Sequence, residues 1–284
     1  MFYQKSKSVL RQEGLAASKK LGQNFLVHRH TAECIADLAG LSKDDTVVEV
    51  GVGLGALTKP LAEAAGHVIG LEADSGIIRL HEERGGLPDN VRLIHQDVLK
   101  ADFAALAELC GGRLKIVANL PYSISSPFLF KLIEERERID VVLVMLQKEL
   151  AERLLAGPQT KAYGAPTVLL AACAATEAVM EIGPDEFHPR PKVDSLLLRL
   201  TFHPEPERVR RLGAYDRELF RRIVSAAFGQ RRKTLLNSLN AAGLGGKDEL
   251  AACIAAAGLS PSDRAERLTL EDFVRLARAM GGVS

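Results

Sequence analysis

The stretch VVEVGVGLG at Val47–Gly55 decides the fold, because an apolar strand runs directly into a glycine turn. A helical pattern begins just after the turn. Glycines allow the backbone to approach a ligand at the carboxyl edge of a sheet, where open α/β folds bind their ligands. The spacing also satisfies the dinucleotide pattern GxGxxG/A, so the stretch predicts a nucleotide-like ligand without deciding which one.

Outward from this stretch, short apolar runs alternate with longer amphipathic runs as far as about residue 200. Alternation of this kind predicts βαβ units and a mostly parallel sheet with helices on both faces. The predicted strands are Thr46–Val50, His67–Leu71, Val91–His95, Leu114–Asn119, Asp140–Leu146, Thr167–Thr176 and Val193–Thr201. The predicted helices are Ala56–Ala65, Ser75–Arg84, Phe103–Cys110, Ser126–Glu135 and Lys148–Ala156. Three prolines lie between the last two strands, which predicts an antiparallel hairpin at the sheet edge.

Pro204 and Pro206 predict a linker, and the pattern beyond them is helical, with breaks that contain glycine. The predicted C-terminal helices are Asp216–Phe228, Lys233–Ala241, Lys247–Ala257 and Leu270–Met280. We therefore expect a catalytic domain over residues 1–203 and a small all-helical domain over residues 204–284.

The composition excludes several classes of protein. The 284 residues are 47% hydrophobic and 26% charged, enough for one large or two modest cores. No apolar run approaches the roughly 20 residues of a membrane helix, and residues 1–20 lack the apolar core of a signal peptide. The four cysteines are far apart and the seven histidines show no ligand spacing, so we expect no disulfide framework and no metal. We expect a cytoplasmic protein without a membrane partner or an evident obligate protein partner.

Basic charge is concentrated in two segments, although the net charge is only +1. Residues 208–233 carry a net charge of +7, and residues 1–20 carry +4. Two basic patches on a nearly neutral protein suit a polyanion, and the alternative is a solvated, arginine-rich helix face. The side chains predicted to bind RNA phosphate are Arg221, Arg222, Arg231, Arg232 and Lys233.

Two carboxylates lie at the ends of successive predicted strands, and the second of them, Asp97, favours a methyl donor over NAD. Glu72 follows the second strand, where it would accept hydrogen bonds from the two hydroxyls of a ribose in either ligand. Asp97 closes the third strand and can accept from an adenine amino group, so the pair would bind an adenosine. Helix N-capping is the alternative role for each, because each precedes a helical pattern.

The tetrapeptide Asn119-Leu120-Pro121-Tyr122, at the end of the fourth predicted strand, has the groups of an amine clamp. The Asn119 amide oxygen and the Leu120 carbonyl can each accept a hydrogen bond from an exocyclic amine, because the proline keeps the backbone extended. Tyr122 offers a flat ring to a base. A doubly wound sheet would place this clamp beside the first strand, next to the reactive end of the donor, where a dehydrogenase has no use for it. The alternative is an ordinary turn.

Taken together, these residues resemble the ribosomal RNA adenine dimethyltransferases, most closely the bacterial small-subunit members. The resemblance covers roughly residues 20–240, in order. The matching segments are KLGQNFL (20–26), EVGVGLG (49–55), EAD (72–74), QD (96–97), NLPY (119–122), LQKE (146–149), KAYG (161–164), FHPRPKVDS (187–195) and QRRKT (230–234). One departure is Val52, where the family often has proline.

The resemblance implies the Rossmann-like α/β sheet of class I S-adenosylmethionine-dependent methyltransferases, with a small helical C-terminal domain and residues 1–28 contributing to the cofactor site. It implies dimethylation, at N6, of two adjacent adenosines in a hairpin near the 3′ end of 16S rRNA, on the assembling small subunit. The implied donor contacts are Asn24, Leu26, Gly51, Gly53, Glu72, Asp97 and Asn119. The implied catalytic residues are Asn119, Leu120, Pro121 and Tyr122, with Phe187 a candidate for the second face of the base; its alternative is core packing.

Two other functions stay open from the sequence. The resistance-type dimethyltransferases of 23S rRNA share the glycine turn and an Asn-x-Pro-Tyr/Phe clamp, although residues 192–195 and 230–234 favour a small-subunit enzyme. A non-catalytic RNA-binding assembly factor would keep the same fold, although the intact Glu72, Asp97 and Asn119 argue against a loss of activity. Binding as an assembly checkpoint is compatible with catalysis.

Overall fold

A computed structural model describes residues 24–203, 206–230 and 232–282, which form two compact units. Among the described residues, the first unit holds 24–151 and 176–202, and the second holds 152–175 and those from 203 to 282. By their contacts, residues 152–175 therefore group with the C-terminal helices. The domain boundary between residues 203 and 204 stays a prediction, and the basic segment 1–20 lies outside the described residues.

The first unit is built on a seven-stranded sheet in the order β4-β3-β2-β5-β6-β9-β7. Its strands are β2 (Thr46–Val50), β3 (His67–Glu72), β4 (Val91–His95), β5 (Leu114–Asn119), β6 (Ile139–Gln147), β7 (Ala174–Ile182) and β9 (Ser195–Phe202), and a separate ribbon pairs β1 (Phe25–Leu26) with β8 (Phe187–His188). Strands β2 to β6 are mutually parallel, and β9 runs antiparallel to β6. The α/β class and the parallel core of the sheet are as predicted.

Helices α1 (Arg29–Leu38), α2 (Thr58–Ala64), α3 (Ser75–Arg84), α4 (Phe103–Leu109), α5 (Ser125–Glu134) and α6 (Lys148–Leu155) connect the strands. Two of them begin at an aspartate whose side chain accepts hydrogen bonds from first-turn amides: Asp74 for α3 and Asp102 for α4. Leu61, Val117 and Leu143 belong to one buried cluster that α1, α2 and the sheet share. This core fixes the strand ends that carry the site.

The strand predicted at Thr167–Thr176 is wrong. A helix, α7 (Ala165–Ala171), occupies most of that stretch, and β7 begins only at Ala174. A continuous apolar run does not distinguish a buried helix from a buried strand by periodicity. Pro166 in the first turn, preceded by Gly164 at the N-cap, is the local signal that favoured a helix.

The ribbon of β1 and β8 was not predicted. Phe25 pairs with His188 and Leu26 with Phe187, and the Val27 amide donates to the Glu186 carbonyl at 3.0 Å. Two-residue strands carry too little alternation to be recognised in a sequence. Their pairing joins the segment that begins at Asn24 to the proline-rich segment before β9.

The second unit contains α7 and the helices α8 (Glu207–Arg210), α9 (Arg217–Gly229), α10 (Leu235–Ala241), α11 (Lys247–Ala256) and α12 (Leu270–Gly281). The buried side chains of α9 to α12 include Phe220, Ile223, Leu239, Ile254 and Phe273. Tyr163 packs its ring edge-on against Phe228, with centroids 5.7 Å apart, and donates its hydroxyl to the Leu268 carbonyl at 2.9 Å. Burial raises the pKa of Tyr163, which keeps this hydroxyl a donor.

All four cysteines are free thiols. Over the described ranges, no helix combines the length and apolar character needed to cross a membrane. Within the same ranges, no group of three His, Cys, Asp or Glu side chains is arranged to hold a metal ion.

Candidate active site

An open cavity of about 250 Å³ lies at the carboxyl ends of β2, β3 and β5. The carboxyl ends of parallel strands meet at one edge of a sheet, which explains why residues far apart in the sequence converge here. Its lining includes nine residues that the sequence predicted as site residues: Asn24, Leu26, Gly51, Gly53, Glu72, Asp97, Asn119, Leu120 and Pro121. Asn24 and Leu26 reach the cavity through β1.

The glycine turn after β2 leaves no space for side chains at two positions. Gly51 has φ +81°, and a Cβ there would lie 3.1 Å from the backbone oxygen of Asn119. Gly53 has φ +53°, and its Cβ would lie 2.9 Å from the ring of Phe25. The Gly53 carbonyl also accepts a hydrogen bond from His81 Nε2 at 2.7 Å. The turn therefore lies against Asn119, Phe25 and His81, and its backbone forms one wall of the cavity.

Glu72 is 7% exposed and holds its carboxylate rigidly at the cavity wall. One oxygen accepts from the Gly53 amide and the other from the Asp74 amide, both at 2.9 Å. Asp74, rather than Glu72, caps helix α3, because its side chain accepts from the Gly76 amide. The capping alternative is therefore wrong for Glu72, which binds the glycine turn to β3 and keeps lone pairs for a ligand.

Asp97 does cap a helix, but it lines the cavity as well. Its Oδ1 accepts from the Leu99 amide at 2.9 Å and caps the short 3₁₀ helix Val98–Lys100. Asp97 also lines the cavity on the β4 side, half-buried. A carboxylate has about four acceptor positions, so capping one turn and binding a ligand are compatible roles.

Glu49 is a site residue that the sequence reasoning did not select. It lies in β2, is 1% exposed and lines the cavity. Within the described part of the chain, neither of its carboxylate oxygens has a hydrogen-bond partner. Burial raises the pKa of Glu49 to about 8; the nearby Thr58 hydroxyl lowers the pKa, and the Glu72 carboxylate raises it further. The signal that would have found it is a charged residue inside an otherwise apolar buried strand.

Asn119 ends β5, half-buried, with its amide group oriented. The Asn119 Nδ2 group donates to the backbone carbonyl of Asn24 at 3.3 Å. A carbonyl can only accept, so this contact assigns the amino half of the amide to Asn24 and leaves Oδ1 as an acceptor. Leu120 and Pro121 follow along the cavity wall. The amine clamp of Asn119 and Leu120 stays a prediction, with both residues in the cavity lining.

Neither Tyr122 nor Phe187 is part of the cavity lining, and the two differ in burial. Tyr122 is half-buried, between the cavity-lining Pro121 and Ser123, with its hydroxyl 3.3 Å from Ser195 Oγ. Phe187 is 2% exposed and packs with Leu26 in the buried cluster, and it is not part of the cavity lining. Core packing describes Phe187 as it stands; stacking on a base stays a prediction that needs the ring to leave the core.

The predicted phosphate-binding residues lie in the second unit. Arg222, Arg232 and Lys233 are exposed. Arg221 is engaged by Glu218 through two hydrogen bonds of 2.9 and 2.8 Å along helix α9. Arg231 lies outside the described residues. The four described cations therefore differ in how much of their charge is available to a polyanion.

Comparison with known proteins places this site in context. Residues 14–280 match the family model "Ribosomal RNA adenine dimethylase". The chain is 51% identical, over 283 residues, to the "Ribosomal RNA small subunit methyltransferase A" of Desulfotalea psychrophila, with 96% of this chain and 95% of that protein covered.

Two solved structures share the fold over most of their length. A dimethyladenosine transferase from Plasmodium falciparum superposes with a TM-score of 0.71 and 25% identity, covering 89% of this chain and 95% of that one. The 23S rRNA methyltransferase ErmE superposes with a TM-score of 0.65 and 26% identity, covering 91% of this chain and all of that one.

Proposed function

The chain belongs to the ribosomal RNA adenine dimethylase family, and from that premise we propose that it dimethylates, at N6, two adjacent adenosines near the 3′ end of 16S rRNA. S-adenosylmethionine is the methyl donor. The observation that carries the proposal is the oriented amide of Asn119, at an edge that also holds the carboxylates of Glu49, Glu72 and Asp97. Amine acceptors and an adenosine-binding pair on one cavity suit methyl transfer to an amine.

The cavity residues fit the donor group by group. Glu72 offers acceptors to ribose hydroxyls, and Asp97 offers them to the adenine amino group. The buried carboxylate of Glu49 has no partner among the described residues, and a ligand ammonium would satisfy it. Gly51 and Gly53 line the cavity without side chains, so they offer a ligand backbone contacts. When bound, the donor supplies an electrophilic methyl group on a sulfonium.

The chain's own residues would then prepare the adenine amine. Its lone pair is delocalised into the ring, so the amine is a poor nucleophile. Hydrogen bonds from the amine to Asn119 Oδ1 and the Leu120 carbonyl would favour a more tetrahedral nitrogen with its lone pair directed at the methyl group. Positioning of this kind can contribute several kcal/mol to lowering the barrier. Tyr122 would stack on the extruded base, which is worth roughly 1–3 kcal/mol.

The proposed substrate is 16S rRNA in the assembling small subunit, in the cytoplasm. The 51% identity to a small-subunit enzyme, against 26% to ErmE, supports 16S over 23S rRNA. We extend the proposal to a checkpoint role, in which the bound protein holds back immature subunits until both adenosines are methylated.

The deciding experiment offers the purified protein S-adenosylmethionine with undermethylated small subunits and, in parallel, with large-subunit RNA. We expect N6,N6-dimethyladenosine by nucleoside mass spectrometry in 16S rRNA alone, at two adjacent positions. Dimethyladenosine in 23S rRNA alone would transfer the assignment to the resistance type. Association with subunits without any methylation would support the non-catalytic assembly factor instead.

The exposed cations of α9 and the turn after it should give subunit binding a dependence on salt. Phosphate contacts release counterions, so each lost contact reduces the slope of log affinity against log salt by about 1. We expect this reduction for Arg222→Ala. Arg221→Ala should change the slope less, because Glu218 already engages that guanidinium. Binding titrations at several salt concentrations give the slopes.

The matched control is Arg92→Ala, which removes an exposed arginine of the first unit outside this predicted surface. We expect the control to keep the parent slope. Equal slopes for Arg222→Ala, Arg92→Ala and the parent protein would show that Arg222 makes no phosphate contact.

A further inference from the structure

The hydroxyl of Tyr122 has a fixed partner in the first unit. Tyr122 Oη lies 3.3 Å from Ser195 Oγ, and either atom can be the donor. Ser195 is 1% exposed, while Tyr122 is half-buried. The proposed function uses the ring of Tyr122 and leaves both hydroxyls unexplained.

The backbone of Ser195 is held by strand pairing in the seven-stranded sheet. Ser195 is the first residue of β9 and pairs with Gln147 at the end of β6, while β6 pairs with β5 as far as Asn119. The chain entering β9 is tied as well, because the Lys148 amide donates to the Asp194 carbonyl at 2.9 Å. Strand pairing therefore links the backbone of Ser195 to that of Asn119 through β6.

Tyr122, by contrast, belongs to a single 3₁₀ turn, Tyr122–Ile124, that leaves β5 after Pro121. A short turn of this kind restricts the ring weakly by itself. A ring that is free to rotate about its two χ angles is a poor platform for a base. Because Oη lies on the axis of χ2 rotation, a hydrogen bond there restricts χ1, and with it the direction in which the ring extends from the backbone.

We propose that Ser195 is a positioning residue for methyl transfer, which holds the Tyr122 ring in the place needed to stack on the target adenine. Ser195 touches neither the base nor the donor; it acts through the Tyr122 hydroxyl. The inference rests on the proposed function, because it assigns Tyr122 the stacking role. It distinguishes the two hydroxyls, which position the ring, from the ring itself, which binds.

A double-mutant cycle tests the pair: parent, Ser195→Ala, Tyr122→Phe and the double variant. We expect each single change to lower kcat/KM for undermethylated small subunits about fivefold, the factor that one ordinary hydrogen bond contributes. The double variant should be no worse than either single variant, because both remove the same bond. The affinity for S-adenosylmethionine should stay within about twofold in all four, since neither residue lines the donor cavity.

Additive losses in the cycle would overturn the proposal, because the two hydroxyls would then act separately. A near-normal kcat/KM for Ser195→Ala would overturn it as well, and so would a parallel loss of donor affinity, which indicates a disturbed fold. A parent protein that transfers no methyl group to small subunits would defeat the proposed function itself. That outcome is distinguishable, because it precedes any comparison of variants.

Discussion

Replacing Asn119 by alanine should lower the rate of methyl transfer to small subunits by about a thousandfold. The oriented Oδ1 is the acceptor that would direct the amine, and removing one preorganised hydrogen-bonding group from a reacting centre typically costs about 10²–10³ in kcat. Single-turnover transfer of a labelled methyl group measures the effect. Subunit binding should survive, since the described cations that we predict to bind phosphate lie in the second unit.

Asn119→Asp separates the two halves of the amide. The aspartate keeps an acceptor for the amine but cannot donate to the Asn24 carbonyl, which now faces a carboxylate oxygen. We expect an activity between those of the parent and the alanine variant, reduced about tenfold by one lost hydrogen bond and the repulsion.

Unfolding in urea provides the control for both Asn119 variants. Because Asn119 is only half-buried, we expect stabilities within about 1 kcal/mol of the parent. A folded Asn119→Ala protein with near-normal turnover would exclude the amine clamp as the source of catalysis.

The framework of the first unit could be predicted because periodicity and glycine placement specify it locally. The bounds of Thr46–Val50, Val91–His95 and Leu114–Asn119 agree with the structure to the residue. Each is a short apolar run with turn signals on both sides. The position of the cavity could be predicted from the same information, because the carboxyl ends of parallel strands meet at one edge of the sheet.

What the sequence could not supply is tertiary pairing. The ribbon pairs Phe25–Leu26 with Phe187–His188, about 160 positions further along the chain. No local sequence pattern predicts a pairing over that distance. The same ribbon brings Asn24 to the cavity, so the orientation of the Asn119 amide could not be predicted from the sequence either. The burial of individual side chains could not be predicted either. The sequence allowed Phe187 to stack on a base, whereas the structure places its ring in a buried cluster.

The buried carboxylate of Glu49 should make the free protein less stable as pH rises. Its pKa is about 8 in the fold and about 4.5 in a solvated chain, so between those values the folded state keeps a proton that the unfolded state has released. The contribution of the protonated carboxyl group to the free energy of unfolding is fully present below pH 4.5 and is lost as pH approaches 8. The loss amounts to about 3 kcal/mol at pH 7, at 1.4 kcal/mol per unit.

Glu49→Gln should therefore stabilise the free protein at neutral pH and weaken the binding of S-adenosylmethionine. An amide cannot ionise, so its advantage over the parent should be below about 1 kcal/mol at pH 5 and reach about 3 kcal/mol at pH 7. The donor's ammonium would lose its carboxylate partner, a charge-assisted bond worth roughly 1.5–3 kcal/mol, or about 10- to 150-fold in affinity. Urea unfolding at pH 5, 6, 7 and 8 and donor titrations give the two quantities.

Glu83→Gln is the matched control, because that glutamate is exposed on α3 and the same charge is removed. We expect that the difference in free energy of unfolding between this variant and the parent does not grow with pH. A stability gain for Glu49→Gln that is the same at pH 5 and pH 8 would mean that Glu49 is ionised in the free fold. Unchanged donor affinity would mean that its carboxylate does not meet the ammonium. The two results are independent, so stability and donor recognition at Glu49 are tested separately.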